Sequence, residues 1–287
     1  MLIVKVYGGI GNQMFQYSFY KYLQKNNDDV FLDISDYKVH NHHNGFELID
    51  VFNIEVKQAD MSKFKGHVSS KNSIFYRLTS KLFKRNILGY SEFMDSNGIS
   101  IVRNEKILTD HYFIGFWQDV LYLQSVEEEI KEAFNFKNVA IGKQNLELIS
   151  LSESVESVSV HIRKGDYANN SDLSDICDLE YYEEAMKIID SKVSEPLYFI
   201  FSDDIEWCKQ KFGKRDNLIY VDWNIAKKSY IDMLLMSKCK HNIIANSTFS
   251  WWGAWLNNNS KKIVICPKTW DRKKNENHLL LNDWIAI

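Results

Sequence analysis

LIVKVYGGIGNQMFQYSFYKYLQKNNDDVFLDIS, residues 2–35, decides the fold class. Leu2–Tyr7 is a short apolar run, rich in β-branched residues and stopped by Gly8 and Gly9, which predicts a strand. Past Gly11, the side chains of Phe15, Phe19, Tyr22 and Leu23 recur on one helical face. A second run, Asp29–Ser35, predicts another strand. Strand, glycine turn, helix, strand is how a parallel α/β sheet opens.

The second half repeats this alternation. Strands are predicted at 158–162 (VSVHI), 197–204 (LYFIFSDD), 218–222 (LIYVD), 242–246 (NIIAN) and 262–267 (KIVICP). Helices are predicted between them at 180–192, from Asp204 through Phe212, and at 229–239 and 247–257. Near-continuous apolar strands separated by helices imply a parallel sheet covered on both faces. Between the halves, HYFIGFWQD (111–119) and a helix at 126–136 are legible, whereas 36–110 has few clean periods. The polar, small-residue stretch 145–157 is the best boundary, giving two lobes, 1–150 and 151–287.

Composition narrows the function. The chain has 287 residues, 45% hydrophobic and 25% charged, with 35 basic against 38 acidic side chains. Neither half is basic, so binding to a nucleic-acid backbone is not expected. No stretch approaches about 20 uninterrupted apolar residues, so no transmembrane segment is expected. The opening MLIVKVYGGIGNQ lacks the long apolar region and cleavage site of a signal peptide, which suggests a cytoplasmic protein. Cys177, Cys208, Cys239 and Cys266 form no CxxC pair and read as buried, reduced thiols. The loop histidines His40, His42 and His43 have no acidic or cysteine partner nearby and read as a solvated loop; no metal site is expected.

In an open parallel sheet, ligands bind beyond the carboxyl ends of the strands. The second-half strands run into HIRKGD, SDD, D and NSTFSWW, a set suited to a nucleotide. Arg163 supplies a permanently charged fork of donors for a diphosphate, with Asp166 placed to orient it. His161 either donates to a phosphate or is a hydrogen-bonded core histidine. Asn246, Ser247, Thr248 and Phe249 leave a strand and enter a helix whose first N–H groups attract anions. Asp203 and Asp204 end a strand where a carboxylate can accept from ribose or guanine, or cap the next helix. Asp232 lies one turn inside an apolar helix, either as a dipole-favoured surface group or as a ligand contact. In the first half, Gly9, Gly11, Asn12 and Gln13 resemble part of a dinucleotide fingerprint, with Asp33 where a ribose-binding acid would stand. The third glycine is replaced by Met14.

Taken together, GGIGNQMFQY, HIRKGDY, IFSDD and NSTFSWWGAWL make the chain resemble the α-1,2-fucosyltransferases of glycosyltransferase family 11, most of all bacterial enzymes that build O-antigen or similar glycans. Lys164 departs from the second arginine of that family's HxRRxD motif. The resemblance implies two Rossmann-like lobes of the GT-B type, with the sugar nucleotide held by the C-terminal lobe. It also implies a GDP-fucose donor, a terminal β-galactose acceptor that in some settings is lipid-linked at the inner membrane face, and no metal or other cofactor. By the same resemblance Arg163 stabilises the β-phosphate and Ser247, Thr248 and Phe249 add donors. Asp203 or Asp204, with Asp232, contacts the nucleoside. The glycine loop touches donor or acceptor, and Trp117 and Gln118 lie on the acceptor side. Asp172 and Asp175, beyond Asp166, are further carboxylates for the unassigned general base. Two rival readings are an NAD-dependent oxidoreductase using the first-half loop with Asp33, and a non-catalytic sugar-nucleotide-binding protein.

Overall fold

The computed structural model describes residues 1–39, 43–61, 92–94, 111–137, 139–165, 171–273 and 277–287. The chain forms two compact units, Met1–Ala133 and Phe134–Ile287.

The first unit is built on a four-stranded parallel sheet, order β2-β1-β4-β3, from β1 (Leu2–Lys5), β2 (Val30–Asp33), β3 (Glu92–Met94) and β4 (His111–Ile114). Leu2, Ile3 and Val4 are all buried, as expected of a central parallel strand covered on both faces. Helix α1 (Ile10–Gln24) returns the chain from β1 to β2 and buries Met14, Phe15, Phe19 and Leu23. Gly8 makes the turn possible with φ +85°, a conformation in which a side chain would be strained. Short helices α2 (Asp36–Val39), α3 (Leu48–Phe52), α4 (Val120–Ser125) and α5 (Glu127–Ala133) complete what is described of this unit.

The second unit contains a six-stranded parallel sheet, order β10-β9-β8-β5-β6-β7. Its strands are β5 (Glu156–Ile162), β6 (Pro196–Ser202), β7 (Leu218–Val221), β8 (His241–Ile243), β9 (Val264–Cys266) and β10 (Ile285–Ala286). The helices are α6 (Lys143–Ser154), α7 (Leu179–Asp190), α8 (Ile205–Phe212), α9 (Tyr230–Lys238) and α10 (Thr248–Trp255). The core gathers Val158, Val160, Ile162, Ile200 and Ile243 from the strands with Tyr182, Ala185 and Ile189 of α7. Helix α10 is buried from Ser250 through Trp255. Trp251 stacks on Trp255 at 6.3 Å, and Trp252 meets Phe134 edge-on at 5.3 Å. The four cysteines are free and buried; burial pushes the Cys177 thiol up to about 12, which suppresses its thiolate.

The stretch 145–157 does not mark the division between the two units. It is mostly α6, which belongs to the second unit, and the division between units falls after Ala133. Its polar residues mislead because several are buried and satisfied internally. Asn145 bonds Asn224, Ser152 reaches the Lys238 carbonyl, and the Ser157 hydroxyl donates to the Ser152 carbonyl at 2.7 Å. Strand β10, paired in parallel with β9, has no counterpart in the sequence reading, since two residues show no period.

Candidate active site

The order of the second sheet fixes where a ligand fits. From β5 the chain moves outward to β6 and β7, then returns to the other side of β5 for β8. The crevice beyond the carboxyl ends of β5 and β8 is therefore a topological switch point, the usual binding place in open α/β sheets. Arg163 follows β5 there, and Ser247 and Thr248 come after β8.

Residues from the two sides meet. The ring of His161, at the end of β5, lies 5.6 Å from that of Phe249 in the first turn of α10. His161 is buried, and its Nδ1 has no hydrogen-bond partner among the described residues. Burial first, and the Arg163 charge second, hold its pKa down to about 4, partly offset by Asp203. The imidazole is therefore neutral near pH 7. Ser247 occupies the N-cap position of α10 with extended backbone and no side-chain capping bond, so its hydroxyl does not serve the helix. The Asn246 amide donates to the carbonyls of Leu173 and Trp270 at 3.2 and 3.3 Å, so Asn246 braces two loops above the sheet.

On the other flank, β6 ends at Ser202 opposite Ile162. Asp204 caps α8 by accepting from the Trp207 amide at 3.0 Å. Asp203 pairs with Arg163 at 3.1 Å and accepts from the backbone amides of Lys164 and Gly165 at 2.9 and 3.1 Å. Lys164 Nζ lies 4.6 Å over the Trp207 ring. Asp166, the carboxylate expected to orient Arg163, lies outside the described residues; the carboxylate seen paired with Arg163 is that of Asp203. Of the further carboxylates, Asp172 is paired with Lys273, and Asp175 has a left-handed φ of 54°.

Asp232 opens a second cluster. Its carboxylate accepts from the Asn224 amide at 2.8 Å, and Asn224 and Asn145 form a reciprocal amide pair at 2.9 and 3.0 Å. Trp223 Nε1 donates to the same Asn145 oxygen at 2.7 Å. Burial raises the Asp232 pKa to about 7, against the lowering effect of the Asn224 hydrogen bond. Asn145, Trp223 and Asn224 are absent from the sequence reading. The signal available was that Trp223 and Asn224 directly follow a strand end.

In the first unit, the glycine loop is stitched to its own surroundings. Gln13 donates to the Gly8 and Gly45 carbonyls at 3.0 and 2.8 Å and accepts from the Glu47 amide, so its side-chain amide braces the loop. Asn12 accepts from Gln118 at 3.1 Å. The Gly9 carbonyl accepts from the amides of Asn12 and Gln13, and Gly11 is buried within α1. Asp33 is buried and bonded by the Tyr112 hydroxyl and the Ser35 amide, which removes it as a ribose ligand. Trp117 is not on an exposed surface for a sugar. It is buried, stacked on Phe19 at 3.9 Å, because its apolar area is worth more in the core. Among the described residues, no three His, Cys, Asp or Glu side chains are grouped to hold a metal ion. His43 is described and His40 and His42 are not.

A family model described as Glycosyl transferase family 11 matches residues 1–287. The chain belongs to glycosyl transferase family 11. This family member is 33% identical over 291 residues to an α-1,2-colitosyltransferase of Escherichia coli, covering 96% of this chain and 94% of the relative. It is 34% identical over 305 residues to the O-antigen biosynthesis glycosyltransferase WbnK of Escherichia coli, covering 98% of each. Among solved structures it is similar to the fucosyltransferase NodZ from Bradyrhizobium, with TM-score 0.51, 16% identity, and 89% and 91% of the two chains covered. The fold is accordingly of the GT-B type, and the protein is a glycosyltransferase. Family membership and the internal bonding of Asp33 together remove the oxidoreductase reading. No described helix is long and apolar enough to cross a membrane.

Proposed function

We propose that this glycosyltransferase moves L-fucose from GDP-fucose to the 2-hydroxyl of a terminal β-galactose in an O-antigen-type glycan. The observation that carries the reading is the placement of Arg163 and the Ser247–Thr248 helix entrance on opposite sides of the β5/β8 switch point. The α-1,2 linkage is supported by the name of the colitosyltransferase relative, and the acceptor class by that of WbnK. The donor is supported by the motifs HIRKGDY, IFSDD and NSTFSWWGAWL.

Forming an α-fucoside from a β-linked donor requires inversion, hence one displacement through an oxocarbenium-like transition state. Negative charge then accumulates on the departing diphosphate. Arg163 keeps its own charge throughout and stabilises that leaving group, while the first amides of α10 add oriented dipoles. Asp232 is assigned to the nucleoside, and the neutral His161, packed against Phe249, adds no charge beside Arg163. Donor binding is assigned to the second unit and acceptor recognition to the first. The reaction proceeds without a metal ion.

Colitose is fucose lacking its 3-hydroxyl, and the colitosyltransferase relative makes it the competing donor. The test is incubation with GDP-fucose or GDP-colitose and a panel of β-galactosides, followed by linkage analysis. Fucosyl transfer to O2 of galactose supports the proposal. Transfer of colitose alone corrects the donor, and no transfer with GDP still bound leaves a silent binder.

A further inference from the structure

Three consecutive residues close on one carboxylate. The β5–β6 ladder ends with Ile162 opposite Ser202, and Asp203 is the next residue on its strand. There the side chain continues what the backbone stops doing. Its two oxygens accept from the Lys164 and Gly165 amides at 2.9 and 3.1 Å and pair with the Arg163 guanidinium at 3.1 Å. Gly165 is what lets the carboxylate come so near: a Cβ there would stand 2.8 Å from Asp203 Oδ2. The corner is braced further by the Asp204 cap of α8 and by Trp207 beneath the Lys164 ammonium. A carboxylate turned on this loop is poorly placed to accept from a sugar or base, and a bare one facing a diphosphate would repel it.

We propose that Asp203 is a positioning residue that fixes the Arg163–Gly165 loop and sets the plane of the Arg163 guanidinium for the donor diphosphate, without touching the nucleoside. The proposal rests on Arg163 being the cation that meets that diphosphate. It assigns Gly165 a matching role, as the residue whose missing side chain admits the brace.

The test compares wild type, Asp203→Asn, Gly165→Ala and the double variant, each as the full chain. Asparagine keeps the shape but loses the charge and one acceptor, so the melting temperature of every variant is recorded and binding is compared only among folded proteins. Amide hydrogen exchange at Lys164 and Gly165 should quicken in both single variants. Binding of GDP should weaken by about tenfold in each, with the double variant no worse than the weaker single, because both break one contact. Guanosine, measured as a competitor of GDP, should bind as in wild type. Exchange at the two amides unchanged in Asp203→Asn, or guanosine weakened as much as GDP, overturns the positioning role while leaving the transferase reading intact. Wild type that binds no GDP overturns both.

Discussion

The rings of His161 and Phe249, 5.6 Å apart, join the end of β5 to the first turn of α10. The contact spans the point where the strand order reverses, so the cation at 163 and the helix entrance at 247–248 are held on one crevice by packing of the buried His161 against the half-buried Phe249. Rigid placement matters here, because a charge that stabilises a leaving group must already be in position when the bond breaks.

Arg163→Ala should reduce transfer from GDP-fucose by on the order of 100–1,000-fold with little change in melting temperature. Its side chain is partly exposed, and its ion pair with Asp203 lies at the loop surface rather than in the core. Arg163→Lys should recover a part, since it restores charge and not the planar fork. A variant Arg163→Ala that keeps about a tenth of the activity contradicts the role.

The buried Asp232 carboxyl should leave a mark on stability against pH. Its folded pKa, about 7, stands above the ordinary value of 3.8. The folded protein therefore holds this proton more tightly, and stability from it is fully present below about 3.8 and is lost as pH rises through about 7. Asp232→Asn keeps the acceptor for Asn224 and cannot ionise. Melting temperatures of the two proteins across about pH 5–8 should diverge, wild type falling relative to the variant as pH rises. Parallel curves would show that Asp232 titrates normally.

Transfer should survive exhaustive chelation. On the proposed reading the diphosphate charge is met by Arg163 and the α10 amides, so EDTA-treated protein should retain its rate, measured by GDP release. Loss on chelation with recovery on adding magnesium or manganese would contradict the metal-free reading.

Gly253→Ala tests the packing that sets α10. A Cβ at Gly253 would sit 3.0 Å from the Met236 Cβ, two backbone-near atoms that cannot swing aside. Overpacking of this kind costs about 1–3 kcal/mol, read from urea unfolding followed by tryptophan fluorescence. Unaltered stability would mean that α9 and α10 pack loosely enough to absorb a methyl group.

The strand-helix alternation of 158–267 is legible because parallel strands buried on both faces read as apolar runs with helices between them. The position of Arg163 follows from the same rule. Other features are invisible for physical reasons. Polar residues satisfied inside the second unit, such as Asn145 and Ser152, imitate a lobe boundary by composition alone. Trp117 next to a glutamine suggests a sugar platform until its stacking on Phe19 places it in the core. That Asp203 serves a loop, while Asp204 caps a helix, depends on a single step of register past Ser202.

The most direct measurement is a crystal of the protein soaked with GDP. The diphosphate should lie between the Arg163 guanidinium and the first amides of α10, at the β5/β8 crevice. A diphosphate seated on the Gly8–Gly11 loop, remote from Arg163, would contradict the account.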